Sequence, residues 1–241
     1  MGTIWSIQIS LHSSGERELA AAAAEAAFVE VGRIEEIMSE WKADSPISRV
    51  NRSAGQGPVP VPRELVEMVR RGIAYGELTG GAFDITWRGL GDLWRFDDDF
   101  SVPGDARIES ARKRVDFRRI EIEGDRLGIP ADFALGLGGI AKGYAVDRAA
   151  SVLKEHGLRN FLINGGGDVL ASGRKGNRSW TVGIRDPRGE RQQLIARLFV
   201  EEGAVVTSGD YERYLIVDGR RYHHIIDPRT GYPVDHVASA T

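Results

Sequence analysis

The sequence predicts an α+β fold, with helices early in the chain and mixed or antiparallel sheets late. Apolar residues recur at helical spacing before residue 80 and again between residues 140 and 156. From residue 159 onward the pattern changes to short strands that follow one another. Only one clear strand–helix–strand passage occurs, in the middle of the chain, which argues against a doubly wound parallel sheet.

In the first half, residues 4–10 alternate between apolar and polar side chains, as in a half-buried strand. Residues 16–38 predict a long helix with Phe28, Val31, Ile34 and Met38 at helical spacing. Pro62, followed by the apolar residues Leu65, Val69, Ile73 and Tyr75, marks a second helix that ends near Thr79-Gly80-Gly81. Residues 97–117 are expected to form a surface connection with a short helix around 107–114.

In the second half, residues 120–129 predict a strand pair around Gly124-Asp125. A third helix is predicted from Ile140 to His156, with Gly157 as its stop and Tyr144, Ala145, Val152 and Leu153 facing inward. The predicted strands that follow are Phe161–Ile163, Trp180–Ile184, Leu194–Phe199, Val205-Val206 and Tyr214–Val217, the last paired through Asp218-Gly219 with Tyr222–Ile226.

Composition excludes several classes of function. The 32 basic and 35 acidic residues leave a net charge of -3, so nucleic acid is not expected as the main partner. Cysteine is absent, which excludes disulfides, thiolate metal sites, iron–sulfur clusters and thiol nucleophiles. No apolar run approaches the roughly 18 residues of a membrane span, and no signal peptide is recognised at the start. The 30 glycines cluster, which indicates catalytic or ligand-binding loops.

The glycine-rich run from Gly136 to Tyr144 opens the third predicted helix, where backbone amides and the helix N-terminus favour an anion. Lys142 adds a charge one turn into the helix. A P-loop is excluded because Gly143, rather than serine or threonine, follows the lysine. The run also fits the dinucleotide pattern G-x-G-x-x-A, but the acidic residue expected at the end of the next strand is missing. A tight turn without a ligand stays an equal alternative.

Four further segments combine small residues with polar side chains. Asp84 in the loop 80–86 could contact a ligand or simply cap a turn. The run 164–168 allows close backbone approach to a ligand, or forms a hairpin end. In 222–231, the adjacent His223 and His224 must point to opposite faces of a strand, so only one can face a site. Together with the hydroxyl-rich run 207–210, these loops indicate a polyanionic ligand.

These motifs, in this order, resemble the ApbE family, flavin transferases that move FMN from FAD onto a threonine or serine of a protein. The resemblance spans essentially the whole chain and implies a single ApbE-like domain over residues 1–241 around one FAD cleft. The runs that carry it are Met1-Gly-Thr3, Met38-Ser39 with Trp41, Ser45–Asn51, Gly81-Ala-Phe-Asp-Ile-Thr86, Gly138-Gly-Ile-Ala-Lys-Gly-Tyr-Ala-Val-Asp147, Thr207-Ser-Gly209 and His224-Ile-Ile-Asp-Pro-Arg-Thr-Gly231.

The resemblance also implies roles. Lys142 and the glycine loop would lie near the pyrophosphate, where Lys142 contributes to catalysis, and the carbonyl of Gly139 would be a ligand of Mg²⁺. His224 would be the base that takes the proton of the acceptor hydroxyl. Thr207 and Ser208 would hold the flavin nucleotide. The remaining residues expected to contact FAD are Met1, Trp41, Ala82, Phe83, Asp84, Gly136 and Ile225.

Two departures from the family pattern stand out. Gly136 occupies a position where the family usually has aspartate. The family's side-chain ligands for Mg²⁺ are expected in a segment that would follow Thr241, outside this sequence.

Three alternatives stay open: an FAD pyrophosphatase that releases FMN and AMP, a non-catalytic FAD-binding protein, and a nicotinamide-dependent oxidoreductase that rests only on G-x-G-x-x-A. The resemblance further implies an acceptor that is a redox or respiratory membrane protein or a flavoprotein subunit. The chain itself is not expected to span a membrane. Its expected location is the periplasm or cell envelope, with the cytoplasm as the alternative.

Overall fold

A computed structural model describes residues 2–11, 13–91, 93–96, 100–190 and 193–241. The α-helices in these ranges are α1 Arg17–Met38, α2 Pro46–Arg52, α3 Arg63–Leu78, α4 Asp105–Arg112 and α5 Ala141–Glu155. The strands are β1 Trp5–Ile9, β2 Val59–Pro60, β3 Glu121–Glu123, β4 Arg126–Gly128, β5 Phe161–Gly165, β6 Asp168–Ser172, β7 Trp180–Arg185, β8 Leu194–Val200, β9 Glu202–Val205, β10 Ser208–Gly209, β11 Tyr214–Val217, β12 Arg220–His223 and β13 Ser239–Ala240.

The strands pair antiparallel throughout these sheets, which confirms the predicted α+β class. The largest sheet has the order β1-β5-β6-β9, and a three-stranded sheet has the order β2-β4-β3. The remaining pairs are β7-β8, β10-β13 and β11-β12. The chain divides into two compact units, the first of residues 1–35, 141–209 and 239–241 and the second of residues 36–140 and 210–238. The single domain over 1–241 stays a prediction.

The core of the first unit lies between the four-stranded sheet and the helices α1 and α5. Small side chains of α1 (Ala20, Ala23 and Ala27) pack with Ala149 and Leu153 of α5. Phe28 was expected on this face, and that expectation is wrong, since the residue is 42% exposed. The buried row runs through Ala27, Val31, Ile34 and Met38 at spacings of three and four, and Phe28 lies about 100° off that row.

The run 164–168 forms a two-residue hairpin turn between β5 and β6. Gly166 and Gly167 have φ angles of 65° and 98°, which non-glycine residues rarely adopt. The side-chain oxygen of Asn164 accepts a hydrogen bond from the amide of Gly167 at 2.8 Å. A Cβ at Gly166 would lie 2.2 Å from the hydroxyl oxygen of Thr3, so packing also requires glycine there. The strand Asp168–Ser172 was not predicted, because the glycines directly before it indicate a loop rather than the start of a strand.

In the second unit, the buried stripe of α3 comprises Leu65, Val69, Gly72 and Gly76. The two glycines let other segments approach the helix: a Cβ at Gly72 would lie 2.7 Å from Ile85, and one at Gly76 would lie 2.7 Å from Phe117. Tyr75 is 47% exposed, whereas Gly72 and Gly76 are buried and take the inward positions.

Other elements of the second unit follow the predictions with local differences. The hairpin β11–β12 turns through Asp218 and Gly219, both at positive φ, but β12 ends at His223 because Ile226 pairs instead with Pro233. The short helix α4 is confirmed, yet the stretch around it is not merely a surface connection: Ile108, Ala111 and Phe117 are buried. Helix α2, capped by Ser45, was not predicted.

Candidate functional site

The glycine loop Gly136–Gly139 is held close to its neighbours within the second unit. The amide of Gly136 donates to the carbonyl of Ile85 at 2.8 Å. Just before the loop, the side-chain amide of Asn51 makes two hydrogen bonds to the backbone of Leu135, at 2.9 and 2.7 Å. The backbone of this segment is therefore fixed by hydrogen bonds from residues that lie 49 to 84 positions away in the sequence.

Large side chains surround this loop so closely that glycine is required. A Cβ at Gly136 would lie 2.7 Å from Cγ of Arg88 and 2.7 Å from Nε1 of Trp87. A Cβ at Gly139 would lie 2.9 Å from the ring of Phe83. The aspartate that the family usually has at position 136 therefore has no room while Trp87 and Arg88 keep their places.

Trp41 presents an open aromatic face beside this loop. The residue is 71% exposed, and the guanidinium carbon of Arg88 lies 4.6 Å from its ring centroid. Arg88 itself packs on Gly136, so Trp41 is joined to the loop through that arginine. Gly136, Phe83 and Trp41, which the resemblance assigns to FAD, thus gather around one loop with Gly139, which it assigns to Mg²⁺. The exposed Ala82 precedes Phe83 directly.

The carboxylate of Asp84 is engaged in hydrogen bonds within the protein. Its side chain is buried, and one oxygen accepts hydrogen bonds from the amide and the hydroxyl of Thr86 at 2.7 and 2.6 Å. The other oxygen accepts from the amide of Phe117 at 3.0 Å. Both oxygens are engaged within the protein, so the turn interpretation describes the structure, and a contact of Asp84 with FAD stays a prediction.

The two adjacent histidines face opposite ways, as predicted. His223 is buried: its Nε2 is bonded to the carbonyl of Val234, and its Nδ1 accepts the amide of Ile225 at 3.3 Å. His224 is exposed, and its Nδ1 lies 3.3 Å from the carbonyl of Arg213. A carbonyl only accepts, so Nδ1 of His224 carries the proton and Nε2 holds the lone pair.

Although His224 is exposed as a residue, its imidazole is partly surrounded by protein, and this desolvation lowers the pKa of His224 below its usual 6.5, while the hydrogen bond to the carbonyl of Arg213 opposes the shift. The neutral imidazole therefore predominates at neutral pH. A neutral histidine with a free Nε2 can accept a proton from a hydroxyl, which is the chemistry of a general base.

The segment after His224 forms the compact turn that its composition predicted. The carboxylate of Asp227 pairs with the guanidinium of Arg229 at 2.7 Å, which lowers the pKa of Asp227 below its usual range. Cγ of Arg229 lies 3.8 Å from where a Cβ of Gly81 would be. The turn therefore sits beside the loop that carries Ala82 and Phe83. Ile225 is half-buried just before it.

Three predicted residues belong to the first unit. Nζ of Lys142, in the first turn of α5, lies 3.5 Å from a carboxylate oxygen of Asp168. The hydroxyl of Thr207 lies 2.8 Å from that of Thr241. Ser208 is exposed in β10, where it pairs with Ala240 of β13. Met1 lies outside the described residues.

In the part of the chain that the structure describes, no three His, Asp or Glu side chains come together in a group that could hold a metal ion. Around Gly139, side chains of these ranges do not by themselves form a magnesium site. In the same ranges, no helix has the length and apolarity needed to cross a membrane.

The model of the ApbE family matches residues 1–241. The chain belongs to the ApbE family. It is 36% identical over 230 residues to the FAD:protein FMN transferase of Treponema pallidum, an alignment that covers 88% of this chain and 64% of the relative. It is 34% identical over 233 residues to a protein of the same name from Klebsiella pneumoniae, covering 95% of this chain and 71% of that relative. The chain thus spans less than two thirds of the Treponema relative's length.

Solved structures of the ApbE family share the fold. The crystal structure of the ApbE protein of Thermotoga maritima superposes with a TM-score of 0.87 at 36% identity, covering 99% of this chain and 77% of that one. The apo form of the Pseudomonas stutzeri flavinyl transferase ApbE gives a TM-score of 0.82 at 31% identity, covering 99% and 75%. The recognition of the family and the α+β class are confirmed, whereas the individual site residues stay predictions.

Sequence reasoning missed three residues at the glycine loop of this ApbE family member. Trp87 donates through Nε1 to the carbonyl of Gly136 at 3.0 Å, Arg88 packs on the same glycine, and an oxygen of Glu40 approaches Gly138. Their positions in the sequence could have indicated them, because Trp87 and Arg88 directly follow the loop 81–86 and Glu40 directly precedes Trp41.

Proposed function

We propose that this chain is an FAD:protein FMN transferase, which moves FMN from FAD to a threonine or serine hydroxyl of an acceptor protein and releases AMP. Membership of the ApbE family and the names of the relatives support the activity. The observation that carries the chemistry is the state of His224, whose Nδ1 is bonded to the carbonyl of Arg213 while Nε2 keeps its lone pair.

In the proposed step, Nε2 of His224 takes the proton of the acceptor hydroxyl. The hydroxyl oxygen then forms a bond to the phosphorus of the FMN half, and the bond from that phosphorus to the bridging oxygen breaks. The electron pair leaves with AMP. Such a displacement depends on alignment and charge neutralisation. Lys142, which forms an ion pair with Asp168 at 3.5 Å, would supply positive charge near the pyrophosphate.

A requirement for Mg²⁺ belongs to this proposal and rests on the family resemblance alone. When bound, the ion would neutralise charge on the pyrophosphate. The test is transfer activity measured with MgCl₂ and with a chelator. Full activity in the chelator would contradict the requirement.

The location and the acceptor are likewise proposals. The family resemblance favours the periplasm or cell envelope, where a redox or respiratory membrane protein would receive the flavin. Fractionation of cells that express the native gene, followed by immunodetection, tests the location. Detection only in the cytoplasmic fraction would support the alternative.

The activity is tested by incubating the purified chain with FAD, MgCl₂ and a candidate acceptor domain. The mass of the acceptor is then measured and AMP is assayed. We expect an acceptor heavier by one FMN and an equivalent amount of AMP. AMP without added mass would instead indicate hydrolysis of FAD, and intact bound FAD would indicate a binding protein without turnover.

Two histidine variants complete this experiment. His224→Ala should abolish transfer and leave FAD binding nearly intact. The matched control is His156→Ala, because His156 also bonds through Nδ1 to a carbonyl, that of Val152 at 2.8 Å, but lies directly after α5 in the first unit. Transfer at the wild-type rate by His224→Ala would show that another group is the base.

A further inference from the structure

Arg88 holds an exposed indole in place. Its guanidinium carbon lies 4.6 Å from the centroid of Trp41 and 5.8 Å from that of Trp87. One face of Trp41 is therefore covered by a cation, yet the residue is still 71% exposed. Stacking on a planar guanidinium fixes the orientation of a ring that the hydrophobic core does not hold.

The aliphatic part of Arg88 is fixed in turn by the glycine loop. The close approach to Gly136, together with the hydrogen bond from Trp87 to the carbonyl of Gly136, leaves Arg88 little freedom at its base. Arg88 also begins a short 3₁₀ turn, Arg88–Leu90, in which Gly89 and Leu90 are buried. The side chain thus starts from a rigid segment.

The charge of this guanidinium is not neutralised at short range by the residues that the structure describes. Within those ranges, no carboxylate lies within ion-pair distance of Arg88. The charge of Glu40 interacts with it at longer range: burial raises the pKa of Glu40 above its usual 4.5, and Arg88 opposes that shift. The N–H donors of Arg88 are therefore available to an anionic ligand beside the stacked ring.

We propose that Arg88 is a binding residue for a ligand that joins a planar ring to a phosphate. Its guanidinium orients Trp41 so that the open face of the indole stacks on the ring, and its N–H groups donate to a phosphate oxygen of the same ligand. This proposal rests on the proposed function, since each half of FAD joins a planar ring to a phosphate: the flavin to one phosphate and the adenine to the other. No other cation is placed beside Trp41 by the described contacts.

The test is FAD affinity, measured by calorimetry on the purified chain in buffer with MgCl₂. Arg88→Met keeps much of the length of the side chain but removes the positive charge and the planar guanidinium. We expect this variant to weaken FAD binding about tenfold or more. Arg88→Lys keeps the charge without the planar fork and should weaken binding about threefold. The matched control is Arg118→Met, because Arg118 lies over the ring of Phe117 at 4.4 Å, and its affinity should stay within about twofold of wild type.

Two readouts separate ligand binding from a merely structural role. The affinity of the wild type should fall with added salt more steeply than that of Arg88→Met, since the variant lacks the screened charge. Titrations with AMP and with FMN alone then identify which half of FAD meets Arg88: only the affinity for that half should drop in Arg88→Met.

The outcomes are distinct. Wild-type affinity for FAD, AMP and FMN in both Arg88→Met and Arg88→Lys would overturn the proposal and leave the proposed function intact. A wild-type chain that does not bind FAD would overturn both. If Arg88→Met unfolds, the lysine variant decides: unchanged affinity and salt dependence in that variant overturn the proposal.

Discussion

Replacing Asp84 by alanine should destabilise the protein strongly, because the carboxylate is the acceptor for three buried donors. One oxygen binds the amide and hydroxyl of Thr86, and the other binds the amide of Phe117, which is 33 positions away. Thr86 is fully buried and Phe117 nearly so. The variant would leave two backbone N–H groups without their acceptor in a region that water enters with difficulty.

The magnitude follows from these contacts. An unsatisfied buried donor costs about 1–3 kcal/mol, so two of them cost roughly 2–6 kcal/mol if no water replaces the carboxylate. The hydroxyl of Thr86 can rotate, and it also accepts from the amide of Asp116 at 2.9 Å, so its loss adds little. We expect about 3 kcal/mol in the free energy of unfolding, a large part of the 5–15 kcal/mol typical of a domain.

Urea denaturation followed by circular dichroism measures this change. Asp84→Asn keeps one acceptor oxygen but turns an amide group toward Phe117, so it should lose about half as much as Asp84→Ala. Asp116→Ala is the matched control: its carboxylate accepts the amide of Arg118 at 3.1 Å in the same kind of local turn, but this hydrogen bond is exposed to water, and the loss should stay below about 1 kcal/mol. A loss below 1 kcal/mol for Asp84→Ala, combined with weaker FAD binding, would refute the structural role and favour the ligand contact.

Three further predictions concern other parts of the chain. Desolvation lowers the pKa of His224 below 6.5, so its neutral, basic form persists on acidification. The transfer rate should therefore stay level through pH 7 and fall only below pH 6.5. A fall centred above pH 7 in the pH–rate profile would exclude His224 as the base. Glu30 pairs with Arg33 and Arg148, and these ion pairs lower the pKa of Glu30 to about 2. Above pH 4.5, the free energy of unfolding of Glu30→Gln should therefore be about 1–3 kcal/mol below that of the wild type. This difference should vanish as the pH falls toward 2, because Glu30 is then protonated. A constant difference across acid denaturation curves would contradict that linkage. Gly72→Ala should be destabilised by about 1–2 kcal/mol, because its Cβ would overlap Ile85. Gly32→Ala on α1, where a Cβ meets open space, should be stabilised by about 0.5–1 kcal/mol. If both variants raise the melting temperature, the overlap at Gly72 is relieved at no cost.

Local patterns in the sequence were sufficient for much of the fold. The alternation in residues 5–9, the helical spacing of Val31, Ile34 and Met38, and the Asp218-Gly219 turn each express a preference that acts over a few residues. The errors arose where packing chose among equivalent faces. Phe28 was grouped with Val31, Ile34 and Met38 by its helical spacing, but the small side chain of Ala27 takes the buried position and Phe28 is 42% exposed.

By itself, the sequence determined the α+β class, the family and the set of loops that could carry the chemistry. Only the tertiary structure decided what each loop does. It turned Asp84 toward Phe117, brought Arg88 onto Trp41 across 46 intervening positions, and left no room for an aspartate at 136. The physical reason is that backbone dihedral preferences and hydrophobic period are local, whereas the partner of a buried carboxylate or an exposed indole depends on which distant segments pack together.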